Sequence, residues 1–257
     1  KVLVQFVPEA TIRQQMLEGD ETDIVTSIPA DAYETFAANP DYTVTTEPAL
    51  FNYTAFFNTL KEPLNDVKVR QALSYAMPYE DIIKIGASGR GTQSHGSAPN
   101  GVFPYSEDVK QYTYDLEKAK ELLKEAGYEG GGFSLRLTYA SENSTEETFA
   151  PLIKDSFAQI GVDVTIEPLQ FSEQWTLAKT DPATAQDIFL LLYWPTYSDA
   201  GADNLWSMFY GTAEAPHLNA TKFNLSYWYN EQYNALMDEA SGLSGTDLAA
   251  SLAKYTE

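Results

Sequence analysis

Two tryptophans, a tyrosine and two aspartates crowd residues 194–206, WPTYSDAGADNLW, directly after the apolar run 187–193. Trp194 and Tyr197 offer flat aromatic faces that stack on a sugar ring or against a peptide, and the tyrosine adds a hydroxyl. Asp199 and Asp203 offer carboxylates, which pair with a ligand ammonium where water is excluded. In an enzyme the same two aspartates would be the acid and base of a secreted glycoside hydrolase, with carboxyl groups about 5 to 10 Å apart across the sugar. Four residues apart on one helical turn, they would fall on the same side of any substrate. Asp199 also has the place of a cap on a helix at 202–209, and Asp203 stands in that helix's first turn, near the positive end of its dipole. Asp203 is therefore read as structural. Trp206, Met208 and Phe209 recur at helical spacing and read as core. No catalytic residue is assigned, and the chain is expected not to be an enzyme.

Other candidates are sparser. Tyr53 and Asn58 flank a strand-like run, "FNYTAFFNT", in which Phe51, Tyr53, Ala55 and Phe57 alternate, and both are expected to reach a binding site. Arg70 reads as a partner for a nearby carboxylate. His95 and His217 are the two histidines and there is no cysteine, which leaves no ligand set for zinc, so no metal or cofactor is expected. The loop "GASGRGTQSHGSAPNGVFP" has glycines but neither the dinucleotide spacing nor a Gly-Lys-Ser/Thr sequence, which excludes nucleotide binding. Neither histidine accompanies a Gly-x-Ser-x-Gly nucleophile.

The elements that must carry these residues follow from periodicity. "VLVQFV" and residues 23–27 read as strands around a helix with Ile12, Met16 and Leu17 on one face, a βαβ unit. Residues 42–47 read as another strand. Asp66 caps a helix with Val69, Leu73, Ala76 and Met77 inward, stopped by Pro78, and Asp115 caps another with Leu116, Ala119, Leu122 and Leu123 inward. "FSLRLTY", a helix with Phe149, Ile153 and Phe157, and "VDVTIEP" follow in order. Pro151 places the regular start of that helix near Thr148. A helix at 172–179 leads to the run 187–193, which reads as a strand buried on both faces. The alternation predicts an α/β fold with right-handed crossovers, whose ligands gather outside the carboxyl ends of the strands.

The chain of 257 residues has 16 basic and 37 acidic residues, a formal charge of −21 that argues against nucleic acid and anionic membrane surfaces as partners. No stretch reaches the roughly 18 apolar residues of a membrane span, so no direct insertion of this segment is expected.

"MLEGDETDIV", "FFNTLKEPLNDVKVRQALSYAMPYEDII", "DLEKAKELLKEAGY", "FAQIGVDVTIEP" and "FNLSYWYNEQYNALMDEA", in this order, resemble the extracellular solute-binding proteins, family 5. These are the binding components of ABC importers for peptides, nickel chelates and some oligosaccharides. The second segment is the most specific, through Phe57-Asn58-Thr59, Pro63, Asp66, Val69 to Leu73, and Ala76. The resemblance implies a periplasmic-binding-protein type II-like fold, with residues 1–50 a partial first lobe and 51–257 the second lobe of a longer protein. It implies a periplasmic or extracellular location, lipid anchoring through a preceding segment, and ABC permease subunits as partners. It places Trp194, Tyr197, Asp199, Tyr53 and Asn58 on one wall of a ligand cleft, for an oligopeptide or oligosaccharide. In peptide-binding members an Asp three residues after the tryptophan pairs with the peptide's free amine. Tyr197 stands at that offset here and Asp199 two residues beyond it, which implies a specificity moved away from free amines. A half of such a clamp is expected to fold and to bind its solute weakly or not at all.

Overall fold

Asp66, Asp115, Asn230 and Asp247 each have a side chain that accepts a backbone N–H from the first turn of the helix that follows. The computed structural model describes the chain except residues 30, 48, 194–198, 200 and 213–222 and the side chain of Ala202. It divides into two units, Lys1–Glu47 and Pro48–Glu257.

In Lys1–Glu47 the described elements are helices α1 (Ala10–Glu18) and α2 (Ala32–Ala38). Arg13 of α1 gathers the surrounding chain, donating to the carbonyls of Val7 and Pro8 at 2.6 Å each, Thr26 at 3.1 Å and Ser27 at 2.5 Å. The strands expected at 2–7, 23–27 and 42–47 do not form, and so the expected βαβ unit is absent among the described residues. The reason is pairing. β-branched and aromatic residues favour an extended chain, but a strand exists only when its N–H and C=O groups meet another backbone. All four strands of the sheet belong to Pro48–Glu257, and Val2, Leu3, Val4 and Phe6 stand 76 to 91% exposed.

Pro48–Glu257 contains β1 (Asn52–Phe57), α3 (Val67–Tyr75), α4 (Tyr79–Asp81, continued as a wider turn through Gly86), α5 (Leu116–Glu125) and β2 (Phe133–Ala140). Then come α6 (Ser144–Ala158), β3 (Val162–Leu169), α7 (Phe171–Thr180), β4 (Ile188–Tyr193), α8 (Trp206–Phe209), α9 (Glu231–Leu243) and α10 (Leu248–Thr256). The sheet order is β1-β4-β2-β3, with β2 parallel to both β3 and β4 and β1 antiparallel to β4. Alternation along the strands builds two apolar layers. Leu135, Leu137, Val162, Val164, Ile188 and Leu190 pack against Leu73, Leu123, Phe149, Ile153 and Phe157 from α3, α5 and α6. On the other face Phe56, Phe189, Leu191 and Tyr193 pack with Ala178 of α7 and Met208 of α8. The run predicted to be buried on both faces is β4, and it is.

Helix α6 starts four residues earlier than Pro151 suggested. Pro151 sits inside it and removes the N–H that would bond the Glu147 carbonyl. Two other features hold the first turn: the Asn143 side chain accepts from the N–H groups of Thr145 and Glu146, and Phe149 and Ala150 are buried. The helix expected at 202–209 splits into a wide turn, Gly201–Leu205, and the four residues of α8.

Candidate functional site

Because β2, β3 and β4 run parallel, Ala140, Leu169 and Tyr193 end along one edge of the sheet, and β1 begins there with Asn52 opposite Tyr193. In open α/β sheets the binding crevice forms outside such ends, where successive crossovers leave in opposite directions. Here that place is the gap between β2 and β4. Helix α6 carries the chain from β2 to β3 on one face, and α7 carries it back past β2 to β4 on the other. Trp194 and Tyr197 follow β4 at this edge in sequence; both lie outside the described residues.

Tyr53, paired with Leu192, reaches the same edge. Its ring packs edge-on to Phe149 of α6 at 5.0 Å. Its phenol pKa is raised, chiefly by burial and further by the charge of Glu146, against a smaller opposing pull from hydrogen bonds to Thr145 and Asn143. Asp199 joins Phe103 through a backbone bridge, and its Oδ1 accepts the Gly201 N–H at 2.8 Å, so the capping role expected of it is present at the wide turn before α8. Gly201 is required there: a Cβ would stand 2.5 Å from the Tyr255 ring and 2.9 Å from that same Oδ1.

Asn58 is elsewhere. It follows the last residue of β1, which pairs with Ile188 at the start of β4, so it lies about five residues, or roughly 17 Å, along the sheet from Tyr53. It is buried, and its Nδ2 donates to the Pro182 carbonyl at 2.8 Å and the Gln186 carbonyl at 3.4 Å, while its Oδ1 accepts the Leu60 N–H at 3.2 Å. An amide so saturated holds a turn. Asp203 is also interior: its Oδ1 accepts from the Tyr193 hydroxyl at 3.3 Å, and burial pushes that phenol up to about 12. Arg70 donates to the backbone carbonyls of Leu64 and Asn65 at 2.7 and 3.1 Å, in place of the expected carboxylate. His95 Nδ1 lies 2.8 Å from the Val109 carbonyl, and among the described residues no three His, Cys, Asp or Glu side chains are grouped to hold a metal. Of the aromatic residues read as core, Met208's neighbour Phe209 packs inward while Trp206 lies on the surface beside Tyr210. Two cavities of about 470 and 420 Å³ share Trp228 and Tyr233 in their linings, and β1 lines the first.

Three contributors escaped the sequence reading. The Ser97 carbonyl accepts from the side chains of both Asn52 and Asn204 at 3.0 Å, so the loop dismissed for nucleotides braces the start of β1. Neither asparagine had a distinguishing neighbour. Glu146, in the first turn of α6, is 1% exposed. Its Oε2 accepts the Ala140 N–H at 2.9 Å; its Oε1 accepts the Leu192 N–H at 2.8 Å and the Asn143 Nδ2 at 3.0 Å. Burial raises its pKa above the ordinary glutamate value, the Ala140 and Leu192 N–H groups and the Asn143 amide pull it down, and the charge of Glu142 adds to the rise. This one carried a signal: 146, 149, 153 and 157 fall on one helix stripe whose other members are Phe149, Ile153 and Phe157.

Such a sheet and crossover pattern is that of an α/β fold of the periplasmic-binding-protein type. The model of the bacterial extracellular solute-binding proteins, family 5 Middle, matches residues 1–216, and the chain belongs to that family. It is 29% identical over its whole length to heme-binding protein A of Haemophilus influenzae, covering 46% of that protein. It is 30% identical to the dipeptide-binding protein of Escherichia coli K12 over 93% of this chain and 44% of that protein. Among solved structures it matches the periplasmic binding protein DppA from Helicobacter pylori in complex with peptide STSA, with TM-score 0.81, 25% identity, and coverage of 97% of this chain and 46% of that one. The chain thus spans about half the length of the relatives it matches. No helix among the described residues is long and apolar enough to cross a membrane.

Proposed function

We propose that the chain is part of the substrate-binding component of an ABC importer, which captures a small peptide or peptide-like solute outside the cytoplasmic membrane and hands it to permease subunits. Residues 51–257 form the second lobe of the clamp in this reading, with Trp194, Tyr197, Asp199 and Tyr53 on the wall that meets the solute. The observation that carries it is the strand order, which brings the carboxyl ends of β2, β3 and β4 to one edge together with Tyr53, with Trp194 and Tyr197 next in sequence after β4. The names of the relatives favour peptides over sugars: one is a dipeptide-binding protein and one structure holds the peptide STSA. Capture without chemistry fits the edge, since Asp203, the second carboxylate of the hydrolase reading, is taken up in the interior by Tyr193 and Ser207. A receptor of this kind signals only through a solute that binds its closed state better than its open one.

Thermal unfolding of the natural full-length protein against short peptides, glutathione, heme, gluco-oligosaccharides and nickel chelates tests this. A ligand bound only by the folded form stabilises by about 2.7 kcal/mol at one hundred times its Kd. Peptides are expected to raise the Tm, and Trp194→Ala to abolish the rise. A rise with oligosaccharides alone would refute the peptide reading. A rise that survives Trp194→Ala would refute the placement of the wall.

A further inference from the structure

We propose that the outer edge of β1 is a docking slot for one more strand, and that its occupant is a segment following residue 257 in the natural full-length protein. The slot stands independently of which solute the protein captures.

β1 is the end strand of the sheet, with β4 on one side and no strand among the described residues on the other. Its backbone shows which groups face outward. The Asn58 N–H donates to the Asp187 carbonyl, on the β4 side, at 2.9 Å, and the Thr59 N–H turns the other way to the Ser226 carbonyl at 3.1 Å. Alternation along the antiparallel ladder then aims Thr54 and Phe56 at β4, and the N–H and C=O groups of Tyr53, Ala55 and Phe57 outward. A row of this kind is a template for another chain, and natural sheets blunt such edges with charged side chains, prolines or bulges. Residues 52–57, NYTAFF, contain neither charge nor proline, and each is buried or half-buried. Backbone groups withdrawn from water in this way call for partners.

The space beside the edge suits a strand. The cavity of about 470 Å³ is lined by Thr54, Ala55, Phe56 and Phe57, about 10 Å of strand at roughly 3.4 Å per residue. Ser97, held by the Asn52 side chain, and Ser226, held by Thr59, line it as well. Side chains alternate across a strand, so an occupant meets two different walls. One is α3, with Val67, Gln71 and Ser74, on the side where Tyr53, Ala55 and Phe57 pack. The other is Phe209, Trp228 and Tyr233, on the side where the Phe56 ring lies 6.4 Å from that of Phe209. Both walls favour an uncharged, largely apolar segment.

The position of α10 indicates where the occupant comes from. The second cavity, of about 420 Å³, shares Gly96, Ser97, Leu205, Trp228 and Tyr233 with the first, and Tyr255, Thr256 and Glu257 line it. The last turn of α10 therefore lies next to the slot. The chain spans 46 and 44% of the two curated relatives, which leaves ample polypeptide in a protein of that length to supply a strand.

Site-resolved hydrogen exchange on the natural full-length protein tests the proposal, together with photo-cross-linking from Val67→benzoylphenylalanine, a change at an exposed residue that lines the slot. In a filled slot the amides of Tyr53, Ala55 and Phe57 are expected to exchange within about tenfold of those of Thr54 and Phe56, a margin of one hydrogen bond. The cross-link is expected on sequence after residue 257 of the same molecule. Outward amides that exchange more than about tenfold faster than Thr54 and Phe56 would show an open edge and overturn the proposal. A cross-link to sequence before residue 1, to a second copy or to an added peptide would identify a different occupant and overturn it too. Peptide binding, whether found or not, decides the proposed function separately.

Discussion

The two ends of the sheet are both rich in polar groups, and they use them in opposite ways. At the end where β4 starts, Asp187 accepts the Arg136 N–H at 2.7 Å and pairs with Lys61 at 2.5 Å, Lys61 also donates to the Ala185 carbonyl, and Asn58 closes the turn beside them. Those bonds continue the β2–β4 ladder and staple loops onto it. At the end where β4 stops, Glu146 accepts the Ala140 N–H of β2 and the Leu192 N–H of β4, and beside it the Gln174 amide donates to the Thr138 and Leu190 carbonyls. One buried carboxylate is paired with a cation; the other meets only amide donors. Burial alone does not tell a structural polar residue from a site residue.

The contrast predicts unequal responses. Asp187→Ala leaves Lys61 and the Arg136 N–H without their partner in a largely buried place, and is expected to lower stability by about 3 kcal/mol, read as a shift in the urea midpoint. Equal stability of the variant would mean that Asp187 does not hold these groups in the folded chain. Glu146 is expected to act through pH. Its folded pKa is raised, so the folded state holds the proton more tightly than the unfolded one; its contribution is complete below the ordinary value of 4.5 and is lost as pH rises through the raised one. The stability of wild type relative to Glu146→Gln should therefore fall across that window, and a difference that rises with pH would reverse the sign of the burial effect. The smallest change is expected from Tyr53→Phe, which removes one partly buried hydroxyl beside Asn143 and Thr145 and should cost about 1 kcal/mol by the same denaturation. Its edge contact with Phe149 should keep the local fold.

Local chemistry in the chain was readable where one segment decides the outcome. Asp66 and Asp115 cap helices because each side chain meets an N–H two or three residues ahead, and β4 declares itself by an unbroken apolar run. Residues 2–7 carry as strong a strand pattern and form none, because pairing depends on a partner that composition does not supply. Asn58 and Tyr53 looked equivalent in the alternating run around them. Their difference is positional: β1 runs antiparallel to β4, which sends the start of β1 to the carboxyl edge of the sheet and its end to the opposite edge. Glu146 lay in plain view on an apolar stripe, yet a carboxylate in a first helical turn has a ready surface explanation as a partner of the helix dipole.

The order of residues was enough to establish an α/β chain, its helix caps, its doubly buried strand and the motifs of its family, since these depend on neighbours within a few turns. Which edge gathers the candidate site, and which two amides one glutamate would bridge, depended on strand order and direction. Those are set by contacts between segments 46 and 51 residues apart, such as Glu146 with Leu192 and Arg136 with Asp187, where no local pattern reaches.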